Sequence, residues 1–350
     1  MTVRSIYVGV RGRVMMRALV AKQYGPPEGL TVEDVPVPRP GPGQIQVRIR
    51  AAAVNPADLR TLSGVLRELT PLTFPHVPGS DFAGTVTEVG PDVTRFTWGD
   101  EVFGVGLPRA TATIAGMLST PPSLTTGAMA DYAVFEADTP AITRRPDGLA
   151  ADHAASLPIS GLTALAVVRA GRFEAGERVL VTGAAGGVGG AVVPLLAAAK
   201  VHVIATAIPE DDDYVRDLGA TEVIDYRTVD TVAETLRRHP GGVDAMVNLA
   251  LPGPALVKAS DAIRPGGHLL NVAFPSPEPS AFDHADLTVR TVYSTARPGD
   301  LEELAAQAMA GSLPATISRR YSLEEAARAY ADLVHTHVRG KLLVIANATD

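Results

Sequence analysis

The segment from Gly183 to Gly190 has the residue types needed to hold a phosphate group. It follows an apolar run directly and precedes an apolar helical stretch. Within it, Ala184-x-Gly186-x-x-Gly189 matches the dinucleotide fingerprint G-x-G-x-x-G with alanine in the first position. Gly186 would let the backbone approach a pyrophosphate, Gly189 would let helix and strand pack closely, and the helix N-terminus would present free N–H groups. We therefore predict a dinucleotide site here rather than an ordinary tight turn.

The end of the next apolar run bears on which dinucleotide is bound. It ends at Thr206-Ala207, about twenty residues beyond the turn, where an NAD-specific site would carry an acidic residue for the ribose. Ala207 is not acidic, which favours NADP(H), and Thr206 is a cofactor-binding candidate. The acidic run Glu210–Asp213 has two interpretations: it would repel a 2′-phosphate if it lay close to one, or it is the solvated start of a helix. The same loop holds no Lys or Arg that could bind the phosphate. We expect NADPH, with NADH as the alternative.

The chain contains no cysteine, which excludes several kinds of catalytic and metal-binding site. The absence of cysteine removes disulfides, thiolate nucleophiles, iron–sulfur ligation and zinc sites that need Cys. His, Asp and Glu remain as metal ligands, but the eight histidines show neither HxxxH nor HExxH spacing. We therefore expect no metal.

Length and charge limit the class of protein. At about 150 residues per domain, 350 residues predict two domains. The net charge of −7, with scattered Lys and Arg, offers no basic stripe for nucleic acid. No apolar run is long enough to span a membrane. The apolar centre Tyr7–Val10 is too short for a secretory signal, so we expect a cytoplasmic protein.

The first part of the chain has the pattern of antiparallel strands. The earliest strand is predicted at Arg17–Ala21, and Met15 or Met16 just before it is an alternative start of the chain. Up to about residue 137, short runs alternate polar and apolar residues and are broken by Pro and Gly, which predicts a β-rich body. The long stretch 105–129 is rich in Gly, Pro, Ser and Thr, and is either a functional lid or a surface loop without a role.

After about residue 150 the pattern changes to continuous apolar runs alternating with helical stretches. Short strands that do not alternate, separated by helices, are typical of a parallel sheet covered on both faces, so we predict a doubly wound α/β domain. The predicted strands are 178–182, 201–206, 222–225, 243–248 and 268–272, and the predicted helices lie near 188–199, 211–218, 228–238 and 254–263. Beyond residue 287 we predict a strand to 293, a helix at 300–310, a strand near 315–320, a helix capped by Ser322 and a last strand at 341–345.

Several motifs together resemble the medium-chain dehydrogenase/reductase superfamily, in its zinc-independent, zeta-crystallin-like quinone oxidoreductase branch. The resemblance runs from about Arg17 to Ile345. Its most specific pieces are Ala53–Asp58, Val77–Gly84, Trp98–Val102, Ser160–Ala164, the Gly183–Gly190 turn, Leu218–Ala220 with Ile224–Tyr226, and Arg339-Gly340-Lys341.

The resemblance implies a fold and an assembly. A GroES-like catalytic domain would occupy residues 1–150, completed by about 296–350, and a Rossmann NADP(H)-binding domain would occupy 151–295, with the active site in the cleft. The alternating stretch 287–293 would extend the Rossmann sheet across a two-fold axis, which implies a homodimer.

The resemblance also implies the site residues, position by position. Asn55 would lie near the nicotinamide and the substrate carbonyl as the catalytic residue, and Thr163 would contact the nicotinamide end. Gly186, Gly187, Val188 and Gly189 would hold the pyrophosphate, Tyr226 would lie near the adenosine, and Asn248 and Ala273 would line the cofactor. The structural alternatives are that Asn55 only shapes a turn before Pro56, that Asp58 is an ion-pair or cap residue rather than a base, and that Tyr226 only packs.

Zinc-dependent relatives of this superfamily carry a ligand Cys in the stretch that matches Asn55–Asp58 and a His-Glu pair in the stretch that matches Gly79–Asp81. Both are absent here, so zinc-assisted alcohol dehydrogenation is not expected. Many enoyl reductases have a Tyr proton donor in the segment that matches 64–67, where this chain has Leu66.

These features favour an NADP(H)-dependent oxidoreductase that transfers hydride to a small-molecule quinone or activated enone. An enoyl-thioester reductase, or a tailoring reductase or cyclase of secondary metabolism, is the alternative enzyme. A non-catalytic nucleotide-binding protein is the alternative of another class.

Overall fold

The structure is a computed structural model that describes residues 7–8, 14–68, 71–106, 127–282 and 286–346. The chain divides into two compact units. One comprises Met1–Ile159, Ala296–Ala306 and Ile317–Asp350, and the other comprises Ser160–Thr295 and Gln307–Thr316. Most of the stretch 105–129, for which a lid or loop is predicted, lies outside the described residues.

The strands in the described residues are β1 Tyr7–Val8, β2 Val14–Val20, β3 Thr31–Pro36, β4 Gln44–Ala53, β5 Asp81–Val89, β6 Glu101–Val105, β7 Tyr132–Glu136, β8 Ile142–Arg144, β9 Arg178–Thr182, β10 His202–Ala207, β11 Glu222–Asp225, β12 Val243–Asn248, β13 Ile263–Asn271, β14 Thr288–Thr291, β15 Ile317–Ser322 and β16 Lys341–Ile345. The helices are Pro56–Leu62, Ala151–Ser156, Pro158–Gly171, Gly189–Ala198, Asp212–Asp217, Thr231–Arg238, Gly253–Ala259, Asp300–Met309 and Ala326–His335.

The first unit is built on β-sheets, as the alternating pattern predicts. One sheet has the order β1-β2-β3, and a larger one has the order β15-β16-β4-β5-β6-β8, with β7 also paired to β4. The apolar sides of these strands form a core in which the rings of Phe82 and Phe135 stack with their centroids 4.3 Å apart. The last strand, β16, pairs antiparallel with β4 through Leu343 opposite Ala53, so the C-terminal part of the chain completes this unit.

The second unit is a parallel sheet of the order β11-β10-β9-β12-β13-β14. Numbered from β9, this is the 3-2-1-4-5-6 order of the Rossmann fold. Its central strands are buried because helices cover both faces of such a sheet, which is why they are continuous apolar runs in the sequence. The predicted α/β class with a doubly wound parallel sheet is confirmed.

The boundaries of the two units differ from the predicted 150/151 and 296. Residues 151–159 belong to the first unit because the helix Ala151–Ser156 packs against β4 and β5. Residues 307–316 belong to the second unit. Thr316 packs against the start of the helix Gly189–Ala198, where a Cβ added to Gly190 would lie only 3.0 Å from the Thr316 side chain. Such contacts between distant segments leave no local mark in the sequence.

None of the helices in the described parts of the chain has the length and apolar character needed to cross a bilayer.

Candidate functional site

The glycine turn lies at the carboxyl end of β9, the strand between β10 and β12. The N–H of Gly186 donates to the carbonyl of Gly183 at 3.1 Å, and the N–H of Gly190 donates to the carbonyl of Gly186 at 2.8 Å. Gly183 has φ of +74°, a left-handed conformation that glycine adopts without strain. The turn leads from the strand into the helix Gly189–Ala198, and the N–H groups of Ala191 and Val192 in its first turn both donate to the carbonyl of Val188.

Gly186 and Gly189 differ in the space around them. A Cβ on Gly189 would lie 2.2 Å from the carbonyl oxygen of Ala184, so only glycine lets the helix start this close to the strand. A Cβ on Gly186 would meet only the carbonyl oxygen of Gly183, at 3.4 Å. Gly186, Gly187 and Val188 are half-buried, so their backbone lines an accessible edge. The space at this edge fits the close approach of a dinucleotide pyrophosphate to the backbone.

Next to the turn, buried side chains link the carboxyl ends of β9, β12 and β13. Asn248 accepts from the hydroxyl of Thr182 at 2.7 Å and from the N–H of Leu251 at 2.8 Å, and its amide nitrogen donates to Asn271 Oδ1 at 2.8 Å. Asn248 is fully buried, so it fixes the loop that follows β12 and its amide is already bonded within the protein. Its role in lining the cofactor stays a prediction.

Asn271 performs the same task for the loop after β13. Its amide nitrogen donates to the carbonyl of Ala273 at 2.9 Å and to the hydroxyl of Ser276 at 3.0 Å, and its Oδ1 accepts from the N–H of Ala273 at 3.2 Å. Ala273, a predicted cofactor contact, is half-buried in that loop. Thr182, Asn271 and Ser276 are not among the predicted site residues. For Thr182 and Asn271 the available signal was a polar residue at the end of a buried strand, whereas Ser276 lies in the loop after β13.

The adenosine end of the predicted site lies past β10 and β11. These strands pair in parallel with Ala207 opposite Asp225, so Tyr226 and Arg227 emerge beside the residues that follow Ala207. Tyr226 is about half exposed. Arg227 Nη1 lies 4.0 Å from Glu210 Oε2, and both side chains are more than half exposed. The structure therefore places a guanidinium beside the acidic run, although the loop itself contains no basic residue.

The other two predicted cofactor residues are buried in the second unit. Thr206 lies in β10 opposite Ile224, one residue before the strand ends. Thr163 lies in the first half of the helix Pro158–Gly171.

In the first unit, Asn55 is buried and bonded on all sides. Its Oδ1 accepts from Lys341 Nζ at 2.5 Å, and its Nδ2 donates to Asp81 Oδ2 at 3.0 Å and to the carbonyl of Ala53 at 3.3 Å. Lys341 Nζ also lies 3.2 Å from Asp81 Oδ2. These contacts use the carbonyl oxygen and both protons of the Asn55 amide, so this side chain holds the end of β4 and offers no spare donor to a substrate.

Asp58 extends this network into the helix Pro56–Leu62. One carboxylate oxygen accepts from the backbone N–H of Asn55 at 3.0 Å and the other from the hydroxyl of Ser80 at 2.8 Å, so Asp58 is a cap residue. Burial raises the pKa of Asp58 to about 6, with a further contribution from the charge of Asp81, although the bonds from Ser80 and Asn55 and the charge of Lys341 oppose the shift. Burial also raises the pKa of Asp81, against the opposing charge of Lys341.

The two stretches that would carry a catalytic zinc in zinc-dependent relatives do not fit one here. Asn55 offers an amide oxygen and Asp81 a carboxylate, and both are bonded to the ammonium of Lys341. A buried cation of the protein already occupies this position, and no His or Cys stands in either stretch.

The segment 64–67, which has Leu66 where many enoyl reductases have a tyrosine, packs against Tyr24. The ring of Tyr24 lies 3.1 Å from the position that a Cβ on Gly64 would take. Its hydroxyl accepts from the N–H of Leu72 at 2.8 Å, so Tyr24 anchors the chain after this segment.

Comparison with known proteins agrees with this architecture. Residues 41–147 match the alcohol dehydrogenase GroES-like domain, and residues 218–344 match the family described as zinc-binding dehydrogenase. The chain is 31% identical to the chloroplast envelope quinone oxidoreductase homolog of Arabidopsis thaliana, across 94% of this chain and 98% of that protein.

Solved structures are similar along almost the whole chain. The quinone oxidoreductase from Coxiella burnetii superposes with a TM-score of 0.81 at 28% identity, covering 95% of this chain and all of that one. A structure described as an NAD-dependent alcohol dehydrogenase gives 0.80 at 30% identity, covering 95% and 100%.

The fold and the glycine turn define a nicotinamide-dependent dehydrogenase or reductase. The chain belongs to the medium-chain dehydrogenase/reductase superfamily, among the quinone oxidoreductases, and is an oxidoreductase of that type. The predicted family is thereby confirmed.

Proposed function

We propose that this protein is an NADP(H)-preferring reductase that transfers hydride to a quinone or another activated enone. The observation that carries the proposal is the glycine turn, where Gly189 cannot bear a side chain and Gly186 leaves an accessible backbone edge. The reduced nicotinamide would supply the hydride. The chain's residues would bind and orient the cofactor and exclude water.

The preference for NADPH rests on Ala207 and Arg227. Ala207 lacks the carboxylate that would select the ribose hydroxyls of NAD(H), and Arg227 can meet a 2′-phosphate with a charged donor. Glu210 lies within ion-pair distance of that guanidinium and offsets part of its charge. We therefore expect a modest preference of roughly tenfold in kcat/KM, equivalent to about 1.4 kcal/mol.

The preference for a conjugated acceptor follows from the buried network around Asn55. With Lys341 bonded to Asn55 and Asp81, this part of the first unit offers no Lewis acid to polarise an alcohol. We propose that Asn55 positions the end of β4 rather than donating to the substrate. A quinone suits such a site because its reduced oxygen can be protonated by water, without a dedicated acid on the enzyme.

An acceptor screen tests the proposal. Purified protein is mixed with NADPH or NADH and a series of simple quinones, enones and enoyl thioesters, and cofactor oxidation is followed by absorbance. Turnover of quinones or enones with NADPH supports the proposal. Turnover of enoyl thioesters alone would favour the enoyl-reductase alternative, and tight NADPH binding without turnover of any acceptor would favour a non-catalytic nucleotide-binding protein.

A homodimer formed along β14 is part of the proposal. This strand ends the parallel sheet, its side chains are largely exposed, and Tyr293 just beyond it is 74% exposed. Pairing such an edge with its copy would satisfy the free backbone groups. Light scattering at micromolar concentration should give the dimer mass, and a stable monomer would contradict it. The cytoplasmic location stays a prediction.

A further inference from the structure

Three potential metal ligands meet in the second unit, far along the chain from one another. His202 is the first residue of β10, Glu222 is the first residue of β11, and His239 follows the helix Thr231–Arg238. β10 and β11 pair in parallel with Ile204 opposite Glu222, so the side chains of His202 and Glu222 share one face of the sheet. The site therefore lies at the amino ends of the strands, whereas the glycine turn follows the carboxyl end of β9.

The three side chains converge on one oxygen. His202 Nε2 lies 2.6 Å and His239 Nε2 lies 3.0 Å from Glu222 Oε1. The imidazole rings are 5.9 Å apart and nearly perpendicular, and the three ligand atoms all lie within 4.8 Å of one another. Two imidazoles that direct the same nitrogen at one carboxylate oxygen form the donor set that a tetrahedral zinc ion takes from a protein, leaving the fourth position to water.

The carboxylate is held so that this oxygen faces the histidines. Arg238 Nη1 donates to Glu222 Oε2 at 3.3 Å and to the carbonyl of Val223 at 3.1 Å. Arg238 Nε in turn donates to Glu234 Oε1 at 2.7 Å, which fixes the position of the guanidinium.

We propose that His202, Glu222 and His239 bind a zinc-class divalent ion that ties together β10, β11 and the end of the helix Thr231–Arg238. Ligands of a tetrahedral zinc ion lie about 3.3 Å apart, so each imidazole would move away from Glu222 Oε1 by less than about 1 Å. The ion would stabilise the second unit from the edge opposite the glycine turn and take no part in hydride transfer. Histidine spacing in the sequence could not reveal this site, because the ligands are separated by 17 residues or more.

Zinc titration of the full-length, untagged protein tests the proposal. After treatment with a chelator, calorimetry with zinc chloride should give one ion per chain with a Kd at or below about 10 μM, and magnesium should not bind because it prefers oxygen ligands. Cobalt(II) should give the intense visible absorption of a tetrahedral site. Zinc in excess should raise the Tm by a few degrees.

Variants separate this site from adventitious binding. His202→Gln and His239→Gln should each weaken zinc binding at least tenfold and abolish the cobalt spectrum. His335→Gln is the matched control, because it removes a histidine that lies 2.8 Å from Glu28 and, among the residues that the structure describes, belongs to no such group of three. Melting curves without metal establish that each variant is folded. If the wild-type protein binds no zinc, or if both variants bind it as tightly as His335→Gln, the cluster is only hydrogen-bonded and the proposal is wrong.

Discussion

Lys341 and Asn55 are 286 residues apart in the sequence, yet the ammonium of Lys341 donates to the amide oxygen of Asn55 at 2.5 Å in the core of the first unit. The same ammonium lies 3.2 Å from Asp81 Oδ2, and this oxygen also accepts a hydrogen bond from the amide nitrogen of Asn55. One buried cation thus connects the last strand, β16, to the ends of β4 and β5.

Removing this cation should strongly destabilise the protein. Lys341→Met leaves the carboxylate of Asp81 buried without its partner, and breaking a buried ion pair in this way costs about 3–5 kcal/mol of unfolding free energy. Urea unfolding measures the loss. Lys258→Met is the control, since Lys258 forms an exposed pair with Asp230 and should change stability little. Equal effects of the two substitutions would contradict the role assigned to Lys341.

Asp58 should make the stability of the protein fall as the pH rises. Its pKa is about 6 in the folded protein against 3.8 for the ordinary group, so the folded state binds more protons between these values. The stabilisation is therefore complete below about pH 4 and is lost as the pH rises through 6, by up to about 3 kcal/mol.

The comparison with Asp58→Asn removes the titration of this group, together with its charge coupling to Asp81, and leaves the more distant carboxylates unchanged. Between pH 4 and pH 7, the unfolding free energy of the wild type should fall relative to that of this variant. A difference that is constant over this range would show that Asp58 keeps an ordinary pKa.

Gly186 and Gly189 should respond differently to the same substitution. Gly186→Val should weaken NADPH binding by roughly tenfold or more while the Tm changes little, because its side chain would occupy the accessible edge of the turn. Gly189→Val should lower stability by about 2 kcal/mol or more, because its side chain would collide with the Ala184 carbonyl. Cofactor titration beside a thermal melt measures both, and unchanged NADPH affinity in Gly186→Val would place the pyrophosphate elsewhere.

Arg227 should set the preference between the two nicotinamide cofactors. Arg227→Ala should reduce the NADPH to NADH ratio of kcat/KM from roughly tenfold to about one, because it removes the charged donor near the 2′-phosphate. Glu210→Gln should raise the ratio by releasing the guanidinium from its carboxylate. Arg237→Ala, which removes an exposed guanidinium paired with Glu234 in the same unit, is the control and should leave the ratio unchanged.

The sequence predicts the elements of the second unit well where strands are buried on both faces. Strands β9, β11 and β12 begin and end where their continuous apolar runs do. β13 is different: it begins at Ile263, five residues before the predicted start, because Arg264, Pro265 and two glycines interrupt the apolar pattern at an irregularity in its pairing with β12.

The candidate site is predictable only where a local motif exists. The glycine turn is such a motif, and its position between strand and helix follows from the sequence. Arg227 approaches Glu210 across two neighbouring strands, and Lys341 reaches Asn55 from the other end of the chain. Neither pairing follows from a local sequence pattern, so only the fold shows that a cationic side chain lies beside Glu210 and beside Asn55.

The most direct test of the proposed function is the rate of quinone reduction with each nicotinamide cofactor under identical conditions. The wild-type protein should oxidise NADPH in the presence of a simple quinone, in chelator as well as without it, with kcat/KM roughly tenfold above that for NADH. A wild-type protein that binds NADPH but reduces neither quinones nor enones, or that clearly prefers NADH, would contradict this account.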